Sequence, residues 1–267
     1  MAYPDAGSNV PLDAEKSHEC SRQLQDKFDS RRIASMPYAD IYRDGEYLKK
    51  NPLWHVEESP WKAKQVIRML KQNNLRPRTI CEIGCGAGEI LRQLQGHLDS
   101  ECRLCGYEIS PQAFEMCRLR ANERLRFKLA DIRGEENVFF DLMLVLDVIE
   151  HLEDYFSFLR NIRPKSDYKI FHIPLDLCAQ TVLRKNGILK RRDLYAHIHY
   201  FTKETALRTL EEVGYEVLDH FYTTRMIDLP IDRLQKILRF PRKICFALHP
   251  DLTVRALGGF ALLVLAR

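Results

Sequence analysis

Three glycines at alternate positions, Gly84, Gly86 and Gly88, separate the apolar run Ile80-Cys81-Glu82-Ile83 from the helically spaced Ile90, Leu91, Leu94 and Leu98. A strand, a glycine turn and a helix in that order let backbone lie directly against a ligand. The Gly-x-Gly-x-Gly spacing differs from the Gly-x-Gly-x-x-Gly of nicotinamide sites. Two acids extend the pattern. Glu108 ends the next strand-like stretch, where a carboxylate can accept both ribose hydroxyls of an adenosine. Asp131 ends the third such stretch and can accept from an adenine amino group, while Ile132 packs on the ring. Taken singly, each signal has an ordinary alternative, a tight turn or an exposed charge. Together they fall on the carboxyl edge of the strands, where open α/β sheets bind ligands.

A second group of residues could move a proton or hold a metal. His151, His172, His197 and His199 all fall near that edge, and His151 and His197 stand first as catalytic candidates. Asp147, Glu150 and His151 have i, i+3, i+4 spacing and can share one helix face. With His197 they offer two carboxylates and two imidazoles, a set that could bind Mg²⁺ or another divalent ion. The ordinary alternative for each histidine is a core or surface position, and no residue is assigned as a metal ligand. The basic stretch from Arg184 to Arg192 reads either as a solvated loop or as a clamp for an anionic acceptor.

The elements that must position these residues follow from periodicity. Ser59-Pro60 reads as an N-cap with proline at the first helical position, opening a helix over about residues 60–73. Strands and helices then alternate. Leu142 to Leu146 is continuously apolar, as in a central parallel strand covered on both faces. Ile149, Leu152, Phe156 and Leu159 read as one helical stripe, and Thr202 caps a helix that stops at Gly214. The alternation predicts an α/β, doubly wound, mostly parallel sheet with helices on both faces. Residues 1–58 read as an N-terminal arm and residues 59–267 as the domain. Insertions at about 175–198 and 224–256 project as cap or lid elements. The second of these carries Leu234, Ile237 and Leu238 among cations; it reads as a lid, with contact to an anionic membrane surface as the alternative.

At 267 residues and 45% apolar content the chain can bury one sizeable core. Its net charge of +4 is too mild to argue for nucleic acid by itself. Most of the eight cysteines sit in apolar runs, and Cys102 and Cys105 lack a second metal-spaced pair. There is no secretory signal and no apolar run long enough to span a bilayer, so the expected compartment is the cytoplasm.

The turn Glu82-Ile83-Gly84-Cys85-Gly86-Ala87-Gly88, with Glu108, Asp131 and the stretch Asp147-Val148-Ile149-Glu150-His151-Leu152, resembles the class I S-adenosylmethionine-dependent methyltransferase family. The resemblance covers about residues 60–223 plus the final strand. It implies a Rossmann-like sheet of seven strands, with the last antiparallel and inserted next to the fifth. It also implies S-adenosylmethionine as cofactor, held by Glu82, Gly84, Cys85, Gly86, Gly88, Glu108, Ile109, Asp131, Ile132 and Leu146. Glu-x-x-Glu-His sets with a downstream His resemble small-RNA 3′-terminal and quinone-pathway methyltransferases, from which Asp147 departs. The expected acceptor is a small polar or anionic metabolite methylated on oxygen or nitrogen. An RNA 2′-O acceptor, with or without a metal, and a non-catalytic cofactor-binding regulator stand as alternatives.

Overall fold

The computed structural model describes residue 42 and residues 45–267. Helix α1 (Glu46–Lys50) and a 3₁₀ turn (Val56–Glu58) lead into α2 (Ser59–Gln72). There follow β1 (Thr79–Ile83), α3 (Glu89–Gln95), β2 (Arg103–Glu108), α4 (Pro111–Cys117), β3 (Leu125–Leu129), β4 (Phe140–Leu146), α5 (Tyr155–Ile162) and β5 (Ser166–Pro174). The remainder is α6 (Ala179–Val182), α7 (Gly187–Tyr195), α8 (Lys203–Glu212), β6 (Val217–Thr223), α9 (Arg225–Asp228), α10 (Arg233–Leu248), α11 (Pro250–Ala256) and β7 (Ala261–Ala266). Of the arm read over residues 1–58, residues 1–41, 43 and 44 lie outside the described residues.

The strands form one sheet in the order β3-β2-β1-β4-β5-β7-β6. The first five are mutually parallel, and β7 runs antiparallel between β5 and β6. This is the expected doubly wound, Rossmann-like sheet. Its central strand explains the unbroken apolar run. Successive side chains of β4 point to opposite faces, so Leu142, Leu144 and Leu146 join Val66, Met69 and Leu91 under α2 and α3. Met143 and Val145 join Phe158, Leu159 and Leu210 under α5 and α8. Each such side chain, removed from water, contributes about 1.5–3 kcal/mol.

Two local readings are corrected. Ser59 is not a side-chain cap: α2 begins at Ser59 itself, because the 3₁₀ turn runs straight into it. The stripe from Ile149 to Leu159 is not one helix. A 3₁₀ turn covers Ile149–His151, Leu152 is extended, and α5 starts only after Asp154, whose carboxylate accepts the Ser157 N–H. By contrast, Ser110 caps α4 through the Ala113 N–H, and Thr202 caps α8 with a reciprocal bond to Thr205.

Both insertions are helical. The segment at 175–198 carries α6 and α7, and that at 224–256 carries α9, α10 and α11. They are tied to each other by the Gly258 N–H donating to Gln180. The second insertion is tied to α2 by the Trp61 indole donating to Asp228 at 2.9 Å, and to the 3₁₀ turn before α2 by the Arg225–Glu58 pair at 2.5 Å.

Candidate active site

The carboxyl edge of the sheet opens into a cavity of about 330 Å³ beneath the two insertions. The glycine turn forms one end. Gly86 has φ +53°, and a side chain there would lie 2.5 Å from the Trp54 ring; Gly88 has φ +74°, and a side chain there would lie 2.5 Å from Phe127. Both positions therefore need glycine twice over, for backbone sign and for space. Glu108 fixes the turn. One carboxylate oxygen accepts the Gly86 N–H at 2.7 Å, and the other accepts the N–H groups of Ile109 and Ser110 at 2.8 Å each.

Glu82 lines the same end and is buried, with one carboxylate oxygen lacking any partner. Burial pushes its pKa up to about 8, with Lys62 opposing and Glu108 adding to the rise. A carboxyl group whose folded-state pKa is raised binds more protons folded than unfolded, so stability falls as pH rises through the interval between the two values. Glu82 should therefore contribute a decline in stability from about pH 4.5 to about pH 8. Glu82→Gln should flatten that decline in melting temperatures taken across this interval; an unchanged slope would assign the carboxyl an ordinary pKa.

The opposite wall carries two histidine–carboxylate pairs. His172, on β5, has Nδ1 2.6 Å from Asp147 and Nε2 2.9 Å from the Thr223 hydroxyl. Asp147 also takes Lys62 Nζ at 2.5 Å. Burial would raise the Asp147 pKa, but His172 and Lys62 outweigh it and hold the carboxyl well below its usual range. The second pair is His197, whose Nδ1 lies 2.6 Å from Asp176. Asp176 in turn pairs with Arg191 at 3.1 Å. His151 stands beside His197 with ring centroids 5.0 Å apart, and its Nδ1 is 3.2 Å from the Ala196 carbonyl. Burial, and next the proximity of His197, push His151 down to about 3, so it is neutral at ordinary pH.

Between the two imidazoles sits Glu150. One of its oxygens is 3.8 Å from His151 Nε2 and 4.0 Å from His197 Nε2. Both oxygens are buried without a hydrogen-bond partner. Burial, with Asp147 adding, drives this carboxyl's pKa well above its ordinary value. Glu150, His151 and His197 offer ligand atoms within 4.8 Å of one another, the geometry of a three-residue metal group.

The cavity lining brings together Glu82, Gly84, Cys85, Gly86, Leu146, His151 and His197 from the residues singled out in the sequence. Gly88, Glu108, Ile109, Asp131 and Ile132 lie outside that lining. Asp131 is engaged bidentately by Arg133, and Ile132 is buried in the core. Asp147 does not share a face with Glu150 and His151. Its left-handed φ of 54° and the 3₁₀ turn after it send its carboxylate to Lys62 and His172 instead. Of the basic stretch, Arg191 reaches the cavity. Sequence reasoning missed Tyr47, Lys62, Asp176 and Tyr195, which also line it. Asp176 had a usable signal, since it lies two residues past the carboxyl end of β5.

The chain matches the protein family described as a methyltransferase domain over residues 54–220. No curated protein sequence matches it. Among solved structures, the N-methyltransferase NodS from Bradyrhizobium japonicum WM9, in complex with S-adenosyl-L-homocysteine, is similar at 17% identity and a TM-score of 0.51. That likeness covers 94% of this chain and 96% of the other. Magnesium protoporphyrin IX methyltransferase from Synechocystis PCC 6803 is similar at 15% identity and a TM-score of 0.54, over 95% of each chain. The methyltransferase domain of bacterial CtHen1-C is similar at 17% identity and a TM-score of 0.52, over 77% of this chain and 96% of that one. At these identities the likeness establishes a shared fold.

Proposed function

This chain belongs to the methyltransferase-domain family and is a class I S-adenosylmethionine-dependent methyltransferase, and from that premise we propose that it methylates a hydroxyl oxygen or a nitrogen of a small polar acceptor, with His197 taking the acceptor's proton. The observation that carries this reading is the His197–Asp176 pair at 2.6 Å. A carboxylate on Nδ1 fixes the tautomer and leaves Nε2 to accept a proton inside the cavity. His151, neutral and held by the Ala196 carbonyl, orients the acceptor. Arg191 and Lys62 give the pocket cations, each already balanced by an acid, which suits an acceptor that is polar or carries a single negative charge.

The glycine turn fits the cofactor, because Gly84 and Gly86 border the same cavity as Glu82, one of whose carboxylate oxygens has no partner. When bound, S-adenosylmethionine supplies a methyl group on a sulfonium, and displacement leaves the bond's electron pair on sulfur. Glu108 accepts the ribose hydroxyls, Asp131 the adenine amino group, and Cys85, Ile109, Ile132 and Leu146 pack around them. Gly84 and Gly86 bring backbone to the cavity, and Gly88 lets the turn close against Phe127 behind it. Because Arg133 already occupies Asp131, Asp131→Ala should weaken cofactor binding only about tenfold by calorimetry. A loss of more than a hundredfold would show that Asp131 does more than share one hydrogen bond.

The test is transfer of labelled methyl from S-adenosylmethionine to a panel of small alcohols, phenols, carboxylates and amines. His197→Ala should lower turnover on the accepted compound by about 10²–10⁴-fold without changing cofactor affinity. Turnover within threefold of wild type would remove His197 as the base.

A second reading rests on the two unpartnered oxygens of Glu150. Glu150, His151 and His197 would hold a divalent ion, and two imidazoles with one carboxylate suit a first-row transition ion better than Mg²⁺. The ion would supply a positive charge that lowers the acceptor's pKa. Chelation should then abolish turnover and leave cofactor binding intact. Full turnover in excess chelator would remove the metal from the reaction.

A further inference from the structure

A surface helix normally turns its apolar stripe toward the protein. Helix α10 does the opposite. The side facing the domain carries Gln235, Arg242 and Phe246. Gln235 lines the cavity, Arg242 donates to the Gly258 carbonyl, and Phe246 stacks on Phe260 at 5.4 Å. At about 100° per residue these three fall within about 40° of arc, and Ile244 lies half a turn away from Gln235. The outward side carries Leu234, Ile237, Ile244 and Leu248, with Phe240 beside them. Exposure is 63% at Ile237, 71% at Phe240 and 70% at Leu248. Of the sixteen large hydrophobic residues exposed among the described residues, twelve lie in residues 175–198 and 224–256. Leaving them in water is costly unless something covers them.

The charges say what covers them. Helix α10 has five cations and no acid. Residues 175–198 carry five cations and two acids, and residues 224–256 carry seven and three, a net +7 where the whole chain is +4. The rest of the chain is therefore at −3. Arg233, Lys236, Arg239 and Lys243 are exposed along α10. An apolar strip flanked only by cations complements an anionic lipid surface, with the apolar side chains among the acyl chains and the cations at the headgroups. A second copy of this chain would bring like charge against like.

We propose that the outward face of α10 docks the protein on an anionic lipid bilayer surface. No helix among the described residues is long and apolar enough to cross a membrane, so the contact is peripheral. The proposal stands apart from the identity of the acceptor and from the role of His197.

The test is flotation of the full chain with vesicles of phosphatidylcholine, with and without phosphatidylglycerol. Wild-type protein should float with the anionic vesicles and not with the neutral ones. Ile237→Asp combined with Ile244→Asp should abolish flotation while S-adenosylmethionine affinity is retained, which certifies the fold. Lys236→Gln combined with Lys243→Gln, which alters only exposed side chains, should weaken partition about thirtyfold, roughly five- to sixfold per cation. The proposal is overturned if wild type stays unbound with anionic vesicles, or if either double variant floats as wild type does. It is equally overturned if the protein is a dimer that the aspartate variant dissociates while no form of it binds lipid.

Discussion

Glu108→Gln should reduce S-adenosylmethionine affinity by at least a hundredfold while the protein still folds. The carboxylate does two jobs that one amide cannot. It accepts three backbone N–H groups, from Gly86, Ile109 and Ser110, and so fixes the glycine turn to the end of β2. In the proposed complex the same two oxygens also accept the ribose hydroxyls. Replacing one oxygen with NH₂ sets a donor against donors on one side of the group. A hydrogen bond to a charged partner is worth about 1.5–3 kcal/mol, so losing both ribose bonds amounts to about two orders of magnitude or more in affinity. Fold stability should fall by only about 1–2 kcal/mol, since one oxygen still accepts. Calorimetric titration and a melting curve on the same sample separate the two effects. Binding within threefold of wild type would mean that Glu108 serves the turn alone.

Lys62→Met should cost about 3 kcal/mol of stability, and adding Asp147→Asn should restore more than half of it. Lys62 reaches from α2 across the cavity floor to Asp147 at 2.5 Å, and both side chains are largely shielded, at 15% and 22% exposure. Removing Lys62 leaves the buried Asp147 carboxylate with His172 alone, which is costlier than removing both members of the pair. The pH dependence has a definite sign. Asp147 is held below its usual pKa against the opposing effect of burial, so its contribution is present above the unfolded value of about 3.9. That contribution is lost as pH falls through the folded value. The gap between wild type and Lys62→Met should therefore be full at neutral pH and close only in strong acid. A gap that is already closed near neutrality would mean that the pair contributes nothing. Chemical denaturation at several pH values measures it directly.

The sheet was legible because its signals are local. The central strands are short apolar runs, α2 and α8 carry 3.6-residue stripes, and the glycine turn is written in five consecutive positions. The histidine-lined wall of the cavity was legible only in part. Asp147, Glu150 and His151 have helical spacing, but spacing fixes a face only if the backbone is helical, and Asp147 at φ 54° breaks it. The true partners are distant in sequence: Lys62 with Asp147, Asp176 with His197, Thr223 with His172. No periodicity links residues so far apart; the crossing of strand ends brings them together. Trp54 and Trp61 can staple the leading helix to the sheet, cover a cofactor or line an acceptor site, and the sequence does not decide between these; Tyr47 falls in a polar arm, yet it lines the cavity with Trp54. Two aromatic rings can cover a site without forming a stripe, so no pattern announces them.

Trp54 and Trp61 are the only tryptophans in the sequence, and both border the same cavity. Trp54 lies directly over Gly86 in the turn, while the Trp61 indole bonds Asp228 under the second insertion. The protein therefore carries an intrinsic optical probe to which no tryptophan elsewhere in the chain contributes. A molecule entering at the glycine turn alters the emission of one ring, and movement of the insertion alters that of the other. Single replacements, Trp54→Phe and Trp61→Phe, would give each its own channel, so that events at the glycine turn and at the Trp61–Asp228 contact could be timed separately in a stopped-flow trace.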